Sequence, residues 1–390
     1  MPFYSKQGHI PAKRHTVFKK YDGSLLYEEL ISREGFSYIY SNLYHINMPT
    51  QIHKIGKFNP YEFKKTSDQT LRPRHIRTAQ ISSSGDIISS RKLLFFNQDI
   101  NIYKAHVTEN ISYIDCDDNF YKNGSYDELL YIQEGEGIIQ TQLGDLKYKN
   151  GDYLVIPRGT LWNTIISKDS KILIIESVKP IETPSKYRNR VGQLLEHSPY
   201  CERDIHTPIL NEPINKTGNF LIKVKTQDGI QDLFYTKHPF DVVGWDGFNY
   251  PYAFSIHDFE PITGRIHMPP PTHQTWEAAG FVVCSFVPRM YDYHPKSIPS
   301  PYHHSNIDSE ELLYYVDGDF MSRNNIEKGQ LTLHPGGIPH GPHPGAIERS
   351  VGKKETGELA VMIDPFSPLM ITEEAMNLQV DDYYKSWMID

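Results

Sequence analysis

The chain of 390 residues contains one unit twice. Tyr126-Asp127-Glu128-Leu129-Leu130-Tyr131-Ile132-Gln133-Glu134-Gly135 resembles Ser309-Glu310-Glu311-Leu312-Leu313-Tyr314-Tyr315-Val316-Asp317-Gly318. Further on, Gly151, Pro157 and Gly159 are spaced as Gly329, Pro335 and Gly337 are. A duplication at a separation of about 180 residues means two copies of one structural unit. Any fold for this chain must house both.

The pattern inside each copy says what the unit is. Lys92–Asn97, Ile111–Ile114, Leu129–Ile132, Ile138–Leu143 and Tyr153–Ile156 are short runs of strand-forming residues, separated by Gly and Asn-Gly turns. Short strands with a turn signal about every 8–12 residues indicate an all-β barrel or sandwich. Residues 178–216 hold Pro180, Pro184, Pro199, Pro208 and Pro213, and read as the crossing between domains. Residues 1–60 are polar and aromatic, with His9, His15, His45 and His53 at no ligand spacing, and read as an irregular N-terminal arm. Thr372, followed by Glu373 and Glu374, predicts a short capped helix near the C-terminus. The expected fold is therefore all-β dominated, with two jelly-roll barrels. Residues 1–190 hold the arm and first barrel, and residues 191–390 the linker and second.

Composition excludes several roles. The formal net charge is −8 and no basic run occurs, which argues against nucleic acid as the main partner. No run of about 18 apolar residues suggests a membrane span. The opening Met-Pro-Phe-Tyr-Ser-Lys lacks an apolar signal-peptide core. Cys116, Cys201 and Cys284 are widely spaced and form no CxxC, so neither a disulfide framework nor a structural zinc site is expected. A cytoplasmic location fits.

The two copies differ where chemistry would sit. In the second, His304 precedes Glu311, and His340 follows Gly337 by three. The matching positions in the first are Tyr121 and Trp162, and only Glu128 remains. The first barrel is thus expected to be metal-free. Two imidazoles and one carboxylate leave open positions on an octahedral ion, a donor set suited to a mononuclear Fe(II) site that takes a substrate and O2 together. Glu310 and Glu311 compete for the carboxylate role. Counting from His304 favours Glu310, whereas the repeat and the turn at Gly318 favour Glu311. Adjacent strand residues face opposite ways, so only one can serve, and the register of Leu312–Val316 favours Glu311.

Gly329-(five)-Pro335-x-Gly337-(two)-His340 and His304-x-Asn306-(four)-Glu311-(six)-Gly318 resemble the two cupin motifs, so the barrels are expected to be cupin-like. Tyr302-His303-His304-Ser305-Asn306 and Leu333-His334-Pro335-Gly336-Gly337-Ile338-Pro339-His340-Gly341-Pro342 further resemble the homogentisate 1,2-dioxygenase family. Phe286-Val287-Pro288-Arg289 and Asp381-Asp382-Tyr383-Tyr384-Lys385-Ser386-Trp387 support the likeness, in the manner of a short bacterial form. The resemblance implies Fe(II) on His304, a Glu and His340, and His267 as a catalytic base, with His273 as the runner-up. It places His334 beside the site as a substrate or supporting contact, with His343 adjacent. Arg323 and Arg289 are candidates for a cation near the substrate carboxylate.

The implied reaction cleaves homogentisate with O2 to 4-maleylacetoacetate, in tyrosine and phenylalanine catabolism, and a homo-oligomer is expected. Alternatives are a cupin dioxygenase for another diol, such as gentisate or a hydroquinone, a metal-dependent cupin isomerase, and a non-enzymatic bicupin.

Overall fold

Both copies of the repeated segment are buried strands, Asp127–Thr141 and Glu311–Asp317, in a computed structural model that describes residues 3–113, 115–318, 320 and 326–388. Leu129, Leu130, Tyr131, Leu312 and Tyr314 are fully buried. Covered on both faces, these strands read as continuous apolar runs rather than alternating ones. Each fully buried side chain of this size contributes about 1.5–3 kcal/mol.

The pairing repeats as the sequence does. Asp127–Thr141 pairs with Asp152–Ile156 on one side and the long return strand Leu161–Ser177 on the other. Glu311–Asp317 likewise pairs with Leu331–His334 and with Leu359–Pro365. Ile100–Val107 then lies on the first return strand, and Phe281–Phe286 on the second. The turns repeat too. Gly151 and Gly329 have φ of 88° and 77°, and Gly159 and Gly337 have 84° and 81°, a left-handed backbone that favours glycine. The chain is thus two cupin-like barrels, one built on a sheet of 13 strands and one on a sheet of 6.

The N-terminal stretch expected to be an irregular arm is instead stranded. Ser5–Gly8, Tyr27–Glu34 and Ser37–His45 form a four-stranded sheet with Val242–Gly247, and Ile52–Pro60 adds to the first barrel's sheet. Tyr27–Glu34 pairs with the adjacent Ser37–His45, but the sheet is completed from some 200 residues away: Ser5 stands opposite Gly247 and Tyr44 opposite Gly244. The first sheet also takes strands from beyond residue 190. Thr217–Lys225 runs parallel to Asp118–Asn123, and Tyr252–Ser255 pairs with Asp152–Ile156. Strand pairing therefore carries the first half to residue 255, past the proline-rich crossing. In return, Arg74–Ile76 of the first half closes the edge of the second sheet on Leu331–His334.

An aromatic layer joins the barrels. Tyr153 packs on Trp276 at 6.0 Å between centroids and shares a 2.8 Å hydrogen bond with Ser285. The Lys104 ammonium, buried there, bonds Tyr314 and Gln133. The C-terminal helix Glu373–Met376 is capped as expected, with Thr372 Oγ1 accepting from Ala375 N at 3.2 Å. Among the described residues, no helix is long and apolar enough to cross a membrane.

Candidate metal centre

Glu311 opens its strand, and the backbone brings its two neighbours to it. His304 and His340 face each other across a two-way backbone bridge, His304 N to His340 O at 2.9 Å and His340 N to His304 O at 2.8 Å. The turn through Gly337 delivers His340, while Gly337 N donates to Asn306 O and ties that turn to the His304 loop. His304 Nε2 and His340 Nε2 then lie 3.6 and 3.7 Å from Glu311 Oε2. One ligand atom from each of the three residues lies within 4.8 Å of the others.

These separations exceed a hydrogen bond. They suit ligands arranged round a shared ion, each about 2.0–2.2 Å from it. His340 is 4% exposed, and neither of its ring nitrogens has a hydrogen-bond partner within 3.5 Å among the described residues. A buried imidazole without such a partner is costly, and an ion would satisfy it. Burial pushes the Glu311 carboxyl up, but the imidazoles of His304, His340 and His334 outweigh it and hold the group well below the usual carboxylate range. The residues present therefore fit a divalent ion. Glu310 does not join them: its Oε2 accepts from Leu369 N at 2.7 Å, and burial raises its pKa.

The other expected site residues fall into three groups. His267, His273 and Arg289 line a cavity of about 130 Å3 that also touches His304 and Glu311. His267 is partly exposed, packs on Tyr302 at 4.8 Å between centroids, and has Nδ1 3.9 Å from Asp292 Oδ2. With Asp292 it also lines the neighbouring opening toward His294, so it stands between the two spaces. His273 is buried, and burial with the nearby charges of Arg289, His267 and Lys186 pushes its pKa down to about 3. Arg289 lies 3.6 Å from Glu358 and is the one arginine or lysine lining this cavity among the described residues.

His334 lies behind the centre rather than in the cavity. It is directly opposite Glu311, stacks on His340 at 5.1 Å and is covered by Tyr383 and Trp387. His343, beside it, packs on Trp387 and meets Ser386 at 3.1 Å. Arg323 lies outside the described residues.

Sequence reasoning missed Asp364. Leu312 stands opposite Ile363, so the next step along the pair sets Asp364 beside Glu311. Burial and the Glu311 charge push Asp364 well above the usual carboxylate range. Its counterpart in the first barrel is Glu176, which stands opposite Glu128.

Residues 77–256 match the family model described as homogentisate 1,2-dioxygenase N-terminal. The chain is 43% identical over 389 residues to a Saccharolobus solfataricus protein named “Putative dioxygenase”, covering 99% of both. It is 28% identical over 290 residues to the homogentisate 1,2-dioxygenase of Bradyrhizobium diazoefficiens, covering 70% of this chain and 63% of that protein. With the Legionella pneumophila (strain Lens) homogentisate 1,2-dioxygenase it shares 25% identity over 392 residues, covering 93% and 90%.

Proposed function

Since the chain belongs to the homogentisate 1,2-dioxygenase family of dioxygenases, we propose that it cleaves the ring of homogentisate with O2 to give 4-maleylacetoacetate, at an Fe(II) ion held by His304, Glu311 and His340. The observation that carries this reading is the convergence of those three side chains beside a cavity that His304 and Glu311 line. When bound, an ion with three protein ligands of this kind offers open positions to a diol and to O2 side by side.

The chain's own residues then have distinct tasks. Glu311 stays anionic and offers the charged donor. His334 and the Tyr383–Trp387 cover hold the His340 ring in place, as outer contacts do in metal sites. His267 stands at the cavity wall with an acidic neighbour, Asp292, and takes the proton of a ring hydroxyl. His273, neutral at working pH, accepts or donates a hydrogen bond without adding charge. Arg289 faces the substrate carboxylate.

The test is O2 consumption by protein loaded anaerobically with Fe(II) and given homogentisate, with the product followed by absorbance. Uptake with matching product, lost in His304→Ala, is expected. Uptake with gentisate or a hydroquinone but not with homogentisate would replace the substrate and keep the site. No uptake with any diol despite bound iron would end the dioxygenase reading.

A further inference from the structure

The loop that carries His267 has no strand or helix of its own. It connects two single 3-10 turns, Ile256–Asp258 and Pro270–His273. Its backbone groups must therefore be held from outside, and the stretch 290–294 does so. Thr263 Oγ1 donates to Met290 O at 3.1 Å, Tyr293 N to Gly264 O at 3.1 Å, and His294 N to Arg265 O at 2.7 Å. The Asp292 side chain closes the set. Its Oδ1 accepts from Gly264 N and its Oδ2 from Met268 N, both at 3.0 Å.

Those two amides flank His267 in the chain, so one carboxylate pins the backbone before the ring and just after it. Hydrogen bonds to an ionised acceptor are the stronger kind, which suits a tie in an otherwise irregular loop. Asp292 Oδ2 also lies 3.9 Å from His267 Nδ1. That is too long for a hydrogen bond but close enough to attract the ring once it is charged. Tyr302 packs on the same ring at 4.8 Å between centroids. His267 and Asp292 both line the metal-centre cavity and the opening beside it. A reacting group on a loop is placed only as well as the loop is, and a shift of about 1 Å can cost on the order of 100-fold in rate.

We propose that Asp292 is the positioning residue for His267, an inference that rests on the ring-cleavage reading above. Its two backbone ties hold the loop so that the ring stands at the cavity wall. Its charge favours the tautomer with hydrogen on Nδ1, which leaves the Nε2 lone pair for a ring hydroxyl of the substrate. In the proton step the O–H bond breaks and an Nε2–H bond forms. The positive charge of the resulting imidazolium then lies beside the Asp292 carboxylate. Asp292 takes no proton itself and acts through His267.

The test has two arms. In metal-free protein, hydrogen exchange followed by mass spectrometry reads the loop, and Asp292→Ala speeds exchange in residues 263–268 about 5-fold or more. In Fe(II)-loaded protein, Asp292→Ala lowers kcat for homogentisate about 10–100-fold and leaves KM within about 3-fold. Added to His267→Ala, it costs nothing further, because no ring is left to position. Asp292→Asn keeps the shape of the side chain and gives up its charge; it shifts both readouts the same way and serves if the alanine variant folds poorly. Unchanged exchange, unchanged kcat, or losses that add in the double variant would each overturn the proposal. A parent that takes up no O2 with any diol would overturn the ring-cleavage reading and the proton step with it, whatever the exchange shows, so the two failures are distinct.

Discussion

The two barrels answer one electrostatic problem in opposite ways. Each places a buried glutamate at the start of the same strand, with a second carboxylate beside it: Glu128 with the buried Glu176, and Glu311 with the half-buried Asp364. In the first barrel a fixed guanidinium, Arg91, bridges the pair, and Tyr121 and Trp162 pack edge to face at 5.1 Å beside it. In the second, His304 and His340 occupy those same paired positions, burial and the Glu311 charge push Asp364 well above the usual carboxylate range, and Glu311 faces a space that an ion fits. Tyr121 stands opposite Trp162 as His304 stands opposite His340, so the backbone is the same and only the side chains decide. A barrel becomes a metal site here by two imidazoles and the lack of a built-in cation, not by a change of fold.

The sharpest break between the barrels is catalytic. His340→Ala lowers kcat/KM for homogentisate by more than about 100-fold, beyond what loss of an outer contact costs, whereas the matched Trp162→Phe leaves it within about 2-fold. An oxygen electrode decides, and equal losses would erase the distinction. Next in size is stability. Arg91→Met leaves the buried Glu128 without its cation, while Glu176 keeps Lys225, and costs about 3–5 kcal/mol in urea unfolding, while His304→Ala, in metal-stripped protein, costs well under half of that. Similar losses would mean that Arg91 does not compensate the pair.

A smaller effect is expected at Arg289. Arg289→Met removes one charge-assisted contact worth about 1.5–3 kcal/mol and raises KM for homogentisate with little change in kcat. An unchanged KM would take the carboxylate away from this residue.

The smallest effects are pH slopes of opposite sign. Burial lowers His45, but Asp241 and Glu29 on its two nitrogens outweigh burial and raise it to about 9. Its folded pKa lies above the unfolded value of about 6.5, so its contribution is full below that and fades as pH rises toward 9. His273, down at about 3, works the other way: it costs nothing above about 6.5 and costs stability as pH falls from there toward 3. Unfolding midpoints of His45→Gln and His273→Gln against the parent, at pH 5 and pH 8.5, check both signs. The His45 deficit should be larger at pH 5. The His273 variant should lose less than the parent on going to pH 5.

Much of this was legible in the sequence where local pattern carried it. The duplicated strand, its glycine turns and the His304, Glu311 and His340 spacing all survive because register and turns are local properties. Glu310 and Glu311 take opposite faces: Glu310 turns to Leu369 N, and Glu311 turns toward His304 and His340. What was missed is non-local. The strands before residue 60 mix polar and apolar residues without a clean period, and apart from the local pairing of Tyr27–Glu34 with Ser37–His45 they find their partners near residues 229–247. Arg91 lies 37 residues from Glu128 and follows no motif, so nothing in the sequence shows that it ends beside that carboxylate. Asp364 was hidden the same way, readable only once the pairing of the return strand is known.

The asymmetry itself is most directly tested by counting iron. Protein loaded anaerobically with Fe(II), freed of loosely held metal and measured by elemental analysis should carry one iron per chain. Glu311→Ala should carry none, and Tyr121→Phe should still carry one. Two irons per chain, or one that survives Glu311→Ala, would contradict the assignment of the metal to the second barrel alone.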